Sequence, residues 1–187
     1  QVGSIPIESV FNQNLPLAEG EQIKGGAAII NQQSSCPFRA FATTRLKLIP
    51  DPSIQMGISK MAKGNACHIA LEKLFEKISS SSELRSTSED EIARHIHDSA
   101  TEAVEFLVQS HWDILTPKIQ KIEHARISAL LEKFLNLEKQ RPDFDVIARE
   151  RSFSVDFGNL TLDVRIDRID RLQSGAIALI DYKTGKL

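Results

Sequence analysis

The sequence predicts a mixed α/β or α+β fold, in which a mainly helical first part precedes a three-stranded meander. Apolar residues recur at helical spacing through the first part, as in Leu71, Leu74, Phe75 and Ile78. From Phe153 onward the period changes to two, which is typical of strands. Because the helical patterns come first and the strand patterns follow, the two kinds of element are segregated along the chain.

The bulk composition fits an ordinary globular protein. The chain has 187 residues, 41% of them hydrophobic and 26% charged, which suits one domain or one domain with extensions. No apolar run is long enough to cross a bilayer, and the first four residues lack the pattern of a secretion signal. We therefore expect a cytoplasmic setting. The net charge of −2 neither indicates nor excludes nucleic acid, because basic residues can gather on one face.

The first half of the chain predicts an irregular segment followed by helices. Residues 1–33 contain several Pro and Gly, and within them Ala27–Ile30 predicts one short strand. The run Ser34-Ser35-Cys36-Pro37 predicts a helix that extends to about residue 48. A second helix is predicted from about residue 59 to residue 78. The serine-rich residues 79–88 predict a flexible loop.

Two further helices have clear start signals. Ser88 is followed three residues later by Glu91, which is the pattern of a capping box. Thr116-Pro117 predicts the start of the next helix, and Arg141-Pro142 predicts its end.

The strand region predicts a hairpin and a third strand. Gly158-Asn159 forms the turn, and the apolar residues that alternate on either side of it predict one buried face. The run Ala176–Ile180 is apolar on both faces, which predicts a strand covered on both sides.

Two acids and a lysine near the end of the chain suggest chemistry. If the third strand continues to Lys183, Asp181 and Lys183 project to one side and Tyr182 to the other. Asp167 arrives from the preceding strand, on the same parity as Asp163. Carboxylates and a lysine in this arrangement suit metal-assisted phosphodiester hydrolysis.

Structural alternatives exist for these residues. The alternating charges around Asp167 are also typical of a solvated strand face. Asp181 interrupts an apolar strand, where a carboxylate is costly unless it is paired or bound to metal. A buried ion pair between Asp181 and Lys183, without chemistry, would also explain that position.

Four segments in order resemble the PD-(D/E)XK nucleases of the RecB and AddB type. Val164–Arg171 and Ile180–Gly185 resemble the family's G-x-x-D-R-I-D and D-Y-K-T-G motifs. Lys63–His68 resembles R-G-x-x-x-H, and Gln33–Phe41 resembles the C-P-F-x-x-F segment. The resemblance implies a restriction-endonuclease-like core with a central mixed sheet over residues 34–187.

The sequence departs from the family pattern in two ways. The glycine of G-x-x-D is Val164. The family's downstream Q-x-x-x-Y helix does not occur before residue 187, so we expect a domain truncated at its C-terminal end. One face of the third strand would then lack cover, and a homodimer is one way to supply it.

The resemblance assigns roles residue by residue. Asp167 and Asp181 match the two metal-binding carboxylates, and Lys183 matches the lysine that orients or polarises the attacking water. The backbone carbonyl of Tyr182 matches a further metal ligand. His68 matches a histidine that approaches the metal, although a histidine beside an apolar stripe is also a common core residue.

Two acids and a cysteine complete the candidate set. Glu150 lies where a glutamate often begins the first strand of this core, and Asp170 competes with Asp167 for the first ligand position. Cys36 matches a cysteine that in AddB-like nucleases joins three others around an iron–sulfur cluster. Apart from Cys67 this chain has no other cysteine, and one thiolate cannot hold a cluster, so we expect none here unless a parent protein supplies the rest.

Several basic residues are candidates for contacts with DNA phosphates. Arg149, Arg151 and Arg165 are the most interesting because they flank the predicted site, although ordinary surface charge is the alternative for each. The wider basic set also includes Arg39, Arg45, Lys47, Arg168 and Arg171.

The sequence thus predicts a Mg²⁺- or Mn²⁺-dependent, exonuclease-like DNA nuclease domain. The resemblance implies a DNA repair or recombination protein with a helicase domain or subunit as partner. A catalytically inactive nuclease-fold domain that binds DNA or acts as a scaffold is the alternative, favoured by Val164 and the missing helix. A helical interaction module is a third reading, but it leaves Asp181 and Lys183 unexplained.

Overall fold

The computed structural model describes residues 23–48, 57–111 and 113–183. Six helices and four strands lie in these ranges, in the predicted order of helices before the long strands, so the mixed fold class is confirmed. They are β1 (Ile23–Gly25), α1 (Ala28–Ser35), α2 (Pro37–Thr44), α3 (Lys60–Lys77), α4 (Ser81–Ser86), α5 (Glu89–His111), α6 (Pro117–Glu138), β2 (Phe144–Phe157), β3 (Leu160–Leu172) and β4 (Ile177–Ile180). None of the described helices is long and apolar enough to cross a membrane.

The chain divides into two compact units. The first comprises Gln1–Pro50 and Phe153–Val164, and the second comprises Asp51–Ser152 and Arg165–Leu187. The candidate site lies in the second unit.

In the first unit, β1 pairs in parallel with the start of β3, with Ile23 opposite Leu160. The predicted strand at Ala27–Ile30 is wrong. A helix begins there instead, because the N–H groups of Ile29 and Ile30 bond back to the carbonyls of Gly26 and Ala27. Of the segment predicted to be irregular, residues 1–22 lie outside the described ranges.

The same unit contains α2 and the hairpin tip. Pro37 is the first residue of α2, as predicted, but the N-cap is Cys36 rather than one of the preceding serines, which belong to α1. The helix ends at Thr44 rather than near residue 48. Gly158 makes the turn with φ of 60°. The apolar residues Phe153, Val155 and Phe157 on the β2 arm are exposed, so the predicted buried face is wrong for that arm. Alternation distinguishes two faces of a strand but does not say what covers them.

In the second unit, three long helices surround the main core. Ser59 caps α3 by accepting from the N–H of Ala62 at 3.1 Å, and Thr116 caps α6. Ser88 accepts from Glu91 N–H at the start of α5, so the three predicted helix starts are confirmed. Fully buried residues of the three helices form the centre of the core: Ala66, Ala70, Leu74, Ala100, Leu107, Ile127, Leu131 and Leu135.

The prediction of a loop over residues 79–88 is wrong for Ser81–Ser86, which form α4. Ser80 caps this helix, and the carboxylate of Glu83 accepts from both the N–H and the hydroxyl of Ser79, at 2.7 and 2.8 Å. These two bonds lower the pKa of Glu83. Buried Leu84 anchors the helix to the core. The serines that suggested a loop therefore supply a capping box.

The last strand is less covered than predicted. β4 pairs antiparallel with the end of β3, with Arg168 opposite Ile180 and Arg171 opposite Ile177. Ile177 and Leu179 remain 53% and 64% exposed, so the cover on both faces that the apolar pattern predicts is wrong within the described residues. The other expectation for this strand, that one face lacks cover, agrees with this exposure. β4 has one described neighbour in the sheet, β3, which itself lies beside β2.

Candidate metal centre

Three elements bring one potential ligand each to a common point. His68 comes from α3, Glu150 from β2 and Asp167 from β3. One ligand atom of each lies within 4.8 Å of the others, and in the described part of the chain these three form the group of side chains that could hold a metal ion. Sequence reasoning named all three residues but did not single them out as a set.

Asp167 is held from two sides. Its Oδ1 lies 3.1 Å from His68 Nδ1, and its Oδ2 accepts a hydrogen bond from the backbone N–H of Tyr182 at 2.6 Å. The side chain is only 8% exposed, whereas Asp163 and Arg165, which share its parity, are exposed. The alternative of a solvated strand face is therefore wrong for Asp167.

Glu150 occupies an unusual backbone position. Its φ is 45°, in the left-handed region that residues other than glycine rarely adopt. Arg165 forms an ion pair with its carboxylate. Burial raises the pKa of Glu150, the charge of Arg165 opposes that rise, and the nearby charges of Asp167 and Glu72 add to it. An acid close to other acids in a partly buried position is a suitable partner for a cation.

Asp181 and Lys183 lie just beyond β4 rather than within a strand. Their side chains are 55% and 71% exposed and form an ion pair, which confirms that they project to the same side. The expectation of a costly carboxylate inside an apolar strand is therefore wrong. The hydrogen bond to Asp181 raises the pKa of Lys183, which keeps its amine protonated.

Asp181 is not part of the three-residue group identified among the described side chains. The register nevertheless brings it towards Asp167. Arg168 is opposite Ile180, the last residue of β4, and Asp167 and Asp181 are the next residues along the two segments. The bond from Tyr182 N–H to Asp167 also ties the segment after β4 to β3.

The side chain of Tyr182 is turned inward, opposite to its two exposed neighbours, as predicted. Its ring packs edge-on against His68 and Phe134, with ring centroids 6.0 and 5.5 Å away. Burial raises the pKa of its hydroxyl, which has no hydrogen-bond partner within the described ranges. Tyr182 therefore contacts two members of the group, His68 with its ring and Asp167 with its N–H.

Asp170 lies in a separate, buried ion network. Arg168 donates to Glu138 at 2.6 Å and to Asp170 at 2.9 Å, and Arg141 donates to the same two carboxylates at 2.7 and 3.0 Å. The Arg168 guanidinium also lies 3.9 Å from the ring centroid of Phe75. Arg168 is 1% exposed, so its inclusion in a phosphate-binding surface is wrong. Asp170 has two arginine partners that satisfy its charge without a metal.

The predicted phosphate contacts have different surroundings. Arg149 donates to the backbone carbonyl of Phe75 at 3.0 Å, and Arg165 is mostly exposed while paired with Glu150. Arg151 is exposed. Arg151 and Arg165 thus present charge to solvent, whereas Arg149 is partly used within the protein.

The two cysteines are free thiols with different environments. Cys36 is exposed at the start of α2. Cys67 is buried next to His68, with its sulfur 3.7 Å from Arg126 Nη1.

The donor set fits a hard divalent cation. Mg²⁺ binds oxygen ligands at about 2.1 Å in octahedral geometry, so neighbouring ligands are about 3.0 Å apart. The 3.1 Å between His68 Nδ1 and Asp167 Oδ1 is close to that spacing. Carboxylates suit Mg²⁺ and Mn²⁺, while an imidazole adds a softer donor, so the set accommodates Mn²⁺ as well as Mg²⁺.

The comparisons with known proteins agree with this arrangement. A search of curated proteins found no match to the chain. A comparison with protein-family models matches residues 27–187 to the PD-(D/E)XK nuclease superfamily. The matched range covers most of the chain and contains every residue of the candidate site. The chain therefore belongs to the PD-(D/E)XK nuclease superfamily.

Proposed function

We propose that this protein is a metal-dependent nuclease that hydrolyses phosphodiester bonds in DNA. The observation that carries the proposal is the convergence of His68, Glu150 and Asp167 within 4.8 Å in a chain of this superfamily. Lys183, which is ion-paired with Asp181, also interacts electrostatically with Asp167, and this supports a role for its charge beside the same centre.

His68, Glu150 and Asp167 would hold Mg²⁺ or Mn²⁺, with the Asp181 carboxylate and the Tyr182 carbonyl as further ligands. A divalent cation bound there lowers the pKa of water and stabilises negative charge on a phosphate. The protein keeps this centre in place through the N–H of Tyr182, which fixes Asp167, and through the ring of Tyr182, which packs against His68.

Lys183 contributes a positive charge rather than a proton acceptor. Its hydrogen bond to Asp181 raises its pKa, so the side chain is an ammonium at neutral pH. An ammonium next to the attacked phosphate stabilises the charge that develops on the phosphate oxygens. Asp181 orients Lys183 through their ion pair.

The finer features of the function rest on sequence resemblance. Arg151 follows Glu150 in the sequence, and Arg165 forms an ion pair with it. Both arginines are exposed and are candidates for phosphate contacts. The motifs shared with the RecB and AddB type support an exonuclease-like activity in DNA repair or recombination, beside a helicase domain or subunit.

One observation favours a second candidate function. Asp181 is exposed and paired with Lys183 instead of belonging to the three-residue group found among the described residues. If Asp181 does not reach the metal, the chain is a DNA-binding or scaffold domain that keeps the nuclease fold. Such a domain would bind DNA with a strong dependence on salt and would not cut it.

Cleavage assays on the full chain separate the two candidates. Labelled single- and double-stranded DNA is incubated with Mg²⁺ or Mn²⁺ and the wild type, Asp167→Asn or Lys183→Met. We expect metal-dependent cleavage by the wild type and a loss of at least about 100-fold in both variants, because each removes a charge that acts on the transition state. Asp163→Asn, an exposed position on the same strand, is the control and should keep wild-type cleavage.

Metal titration gives a second, independent measurement. Calorimetry with Mn²⁺ should show binding to the wild type and to Lys183→Met, but none to Asp167→Asn. Cleavage that persists in both variants would refute the assigned roles. DNA binding without cleavage by the wild type would favour the scaffold function.

A further inference from the structure

We propose that Glu72 is an additional carboxylate of this metal centre, beyond His68, Glu150, Asp167 and Asp181, and that it acts through a water molecule bound to the ion. The inference rests on the proposed function and adds a positioning residue to it. Neither the family motifs nor the resemblance in the sequence assigns a role to Glu72.

Glu72 lies four residues after His68 on α3. Residues at this spacing share one face of a helix, with Cβ atoms about 5–6 Å apart. Because His68 faces Glu150 and Asp167, the side chain of Glu72 emerges next to the same centre.

Glu72 interacts electrostatically with Glu150, a residue of β2. Burial is the main cause of the raised pKa of Glu150, and the negative charges of Asp167 and Glu72 contribute in the same direction. The carboxylate of Glu72 is therefore a neighbour of Glu150 across two different elements.

Glu72 is partly buried and makes no hydrogen bond or ion pair with another described residue. Lys73, the adjacent cation, feels the charge of Glu72, but it is bonded to Glu76 and paired with Glu102 rather than with Glu72. By contrast, the other carboxylates of the second unit that are at least partly buried and lie in the described ranges each have a partner: Glu83, Glu102, Glu123, Glu138, Glu150, Asp167 and Asp170.

The charges in this region call for a cation. Three carboxylates, those of Glu72, Glu150 and Asp167, face one ion-paired arginine, Arg165, which is 63% exposed. These four groups carry an excess of two negative charges, which one divalent ion would offset. Lys73 and Lys183 also interact with Glu72 and Asp167, but they are paired with other acids. A partly buried carboxylate beside two others is costly without such compensation.

An indirect role follows from the distances. Glu72 is not in the group of described side chains whose ligand atoms lie within 4.8 Å of one another. Mg²⁺ usually keeps several of its waters when it binds to proteins. A carboxylate one helical turn from His68 is well placed to accept a hydrogen bond from such a water and to fix its orientation.

The test compares Glu72→Gln with Glu76→Gln on the same helix. Glu76 is exposed and bonded to Lys73, so its substitution controls for the loss of one charge from α3. The dissociation constant for Mn²⁺ is measured by calorimetry on the full chain, together with the rise in melting temperature that Mn²⁺ produces. These readouts do not depend on cleavage.

We expect Glu72→Gln to weaken Mn²⁺ binding by about 10-fold or more, the range found for groups that support metal ligands. Its melting temperature without metal should be equal to that of the wild type or higher, because a repulsive charge is removed. Glu76→Gln should bind Mn²⁺ within twofold of the wild type. Glu72→Asp, which keeps the charge on a shorter side chain, should lose less affinity than Glu72→Gln.

The outcomes distinguish this inference from the proposed function. If the wild type binds Mn²⁺, Asp167→Asn abolishes binding and Glu72→Gln stays within twofold, only the role of Glu72 is refuted. If Glu76→Gln weakens binding as much as Glu72→Gln, a general charge effect replaces the specific role. If the wild type does not bind Mn²⁺, the proposed function is refuted and the role of Glu72 with it.

Discussion

The backbone N–H of Tyr182 donates to Asp167 Oδ2 at 2.6 Å and so joins the segment after β4 to the middle of β3. The bond involves the main chain of Tyr182, not its hydroxyl. The segment that carries Asp181 and Lys183 is thereby positioned by Asp167, the same side chain that faces His68. One carboxylate thus orients both halves of the candidate site.

Because the main-chain contact is independent of the hydroxyl, Tyr182→Phe should be tolerated. The hydroxyl is buried without a described partner, and its removal should leave the free energy of unfolding unchanged or raise it by up to about 1 kcal/mol. Mn²⁺ affinity should also be unchanged. Urea unfolding and calorimetry provide the measurements, and a loss of more than about 1 kcal/mol would indicate a hydrogen bond from the hydroxyl.

Tyr182→Ala should cost about 3–5 kcal/mol, because it removes the ring that packs against His68 and Phe134.

Substitution by asparagine should affect different properties at Asp170 and at Asp167. At Asp170 it should lower the free energy of unfolding, and at Asp167 it should abolish Mn²⁺ binding. Asp170→Asn leaves Arg168 and Arg141 with one acid partner, and breaking a buried ion pair typically costs about 3–5 kcal/mol. Asp167→Asn removes one of several neighbouring negative charges and should cost far less stability while abolishing Mn²⁺ binding. Denaturant unfolding of both variants without metal measures the difference. Equal stability losses would argue against separate roles for the two acids.

His68→Gln decides between a metal ligand and an ordinary core histidine. Since His68 Nδ1 lies 3.1 Å from Asp167 Oδ1, its loss should weaken Mn²⁺ binding by at least about 10-fold. The side chain is 29% exposed, so the cost in unfolding free energy should be about 1 kcal/mol or less. His124→Gln, a partly buried histidine on α6, is the control. Wild-type Mn²⁺ affinity in His68→Gln would support the core interpretation.

Glu83 should make the stability of the second unit depend on pH. Its pKa is lowered by hydrogen bonds from the N–H and the hydroxyl of Ser79, so the folded state favours the ionised form. The stabilisation is present above the ordinary glutamate pKa of about 4.5 and is lost as the pH falls through the lower folded value. Glu83→Gln should cost about 1 kcal/mol at pH 7, the usual contribution of a cap, and less at pH 3. An equal cost at both pH values would contradict this assignment.

Local signals in the sequence predicted the helices well. Ser59, Ser88 and Thr116 each cap a helix through a bond to the residue three positions later, so the information is contained in a few neighbouring letters. α4 was missed because Ser79 and Ser80, read as loop residues, act as caps for a short helix. Composition alone does not separate the two uses of serine.

Features that depend on distant residues were harder to predict. The motifs predicted roles for Asp167, Asp181 and Lys183, but they did not indicate that Asp181 would be exposed and paired with Lys183. Asp167 and Asp170 have similar sequence contexts, and they differ because Arg141, which lies 29 residues away, reaches Asp170. Glu72 carries no motif, yet its spacing of four from His68 is a signal that could have identified it.

The left-handed backbone of Glu150 sets a cost that the rest of the protein must offset. A residue with a Cβ loses on the order of 1 kcal/mol in this conformation, whereas glycine does not. Selection for a higher melting temperature alone should therefore favour Glu150→Gly, and the variants that carry this substitution should bind Mn²⁺ poorly. Thermal stability and metal binding would then favour different residues at position 150 of β2.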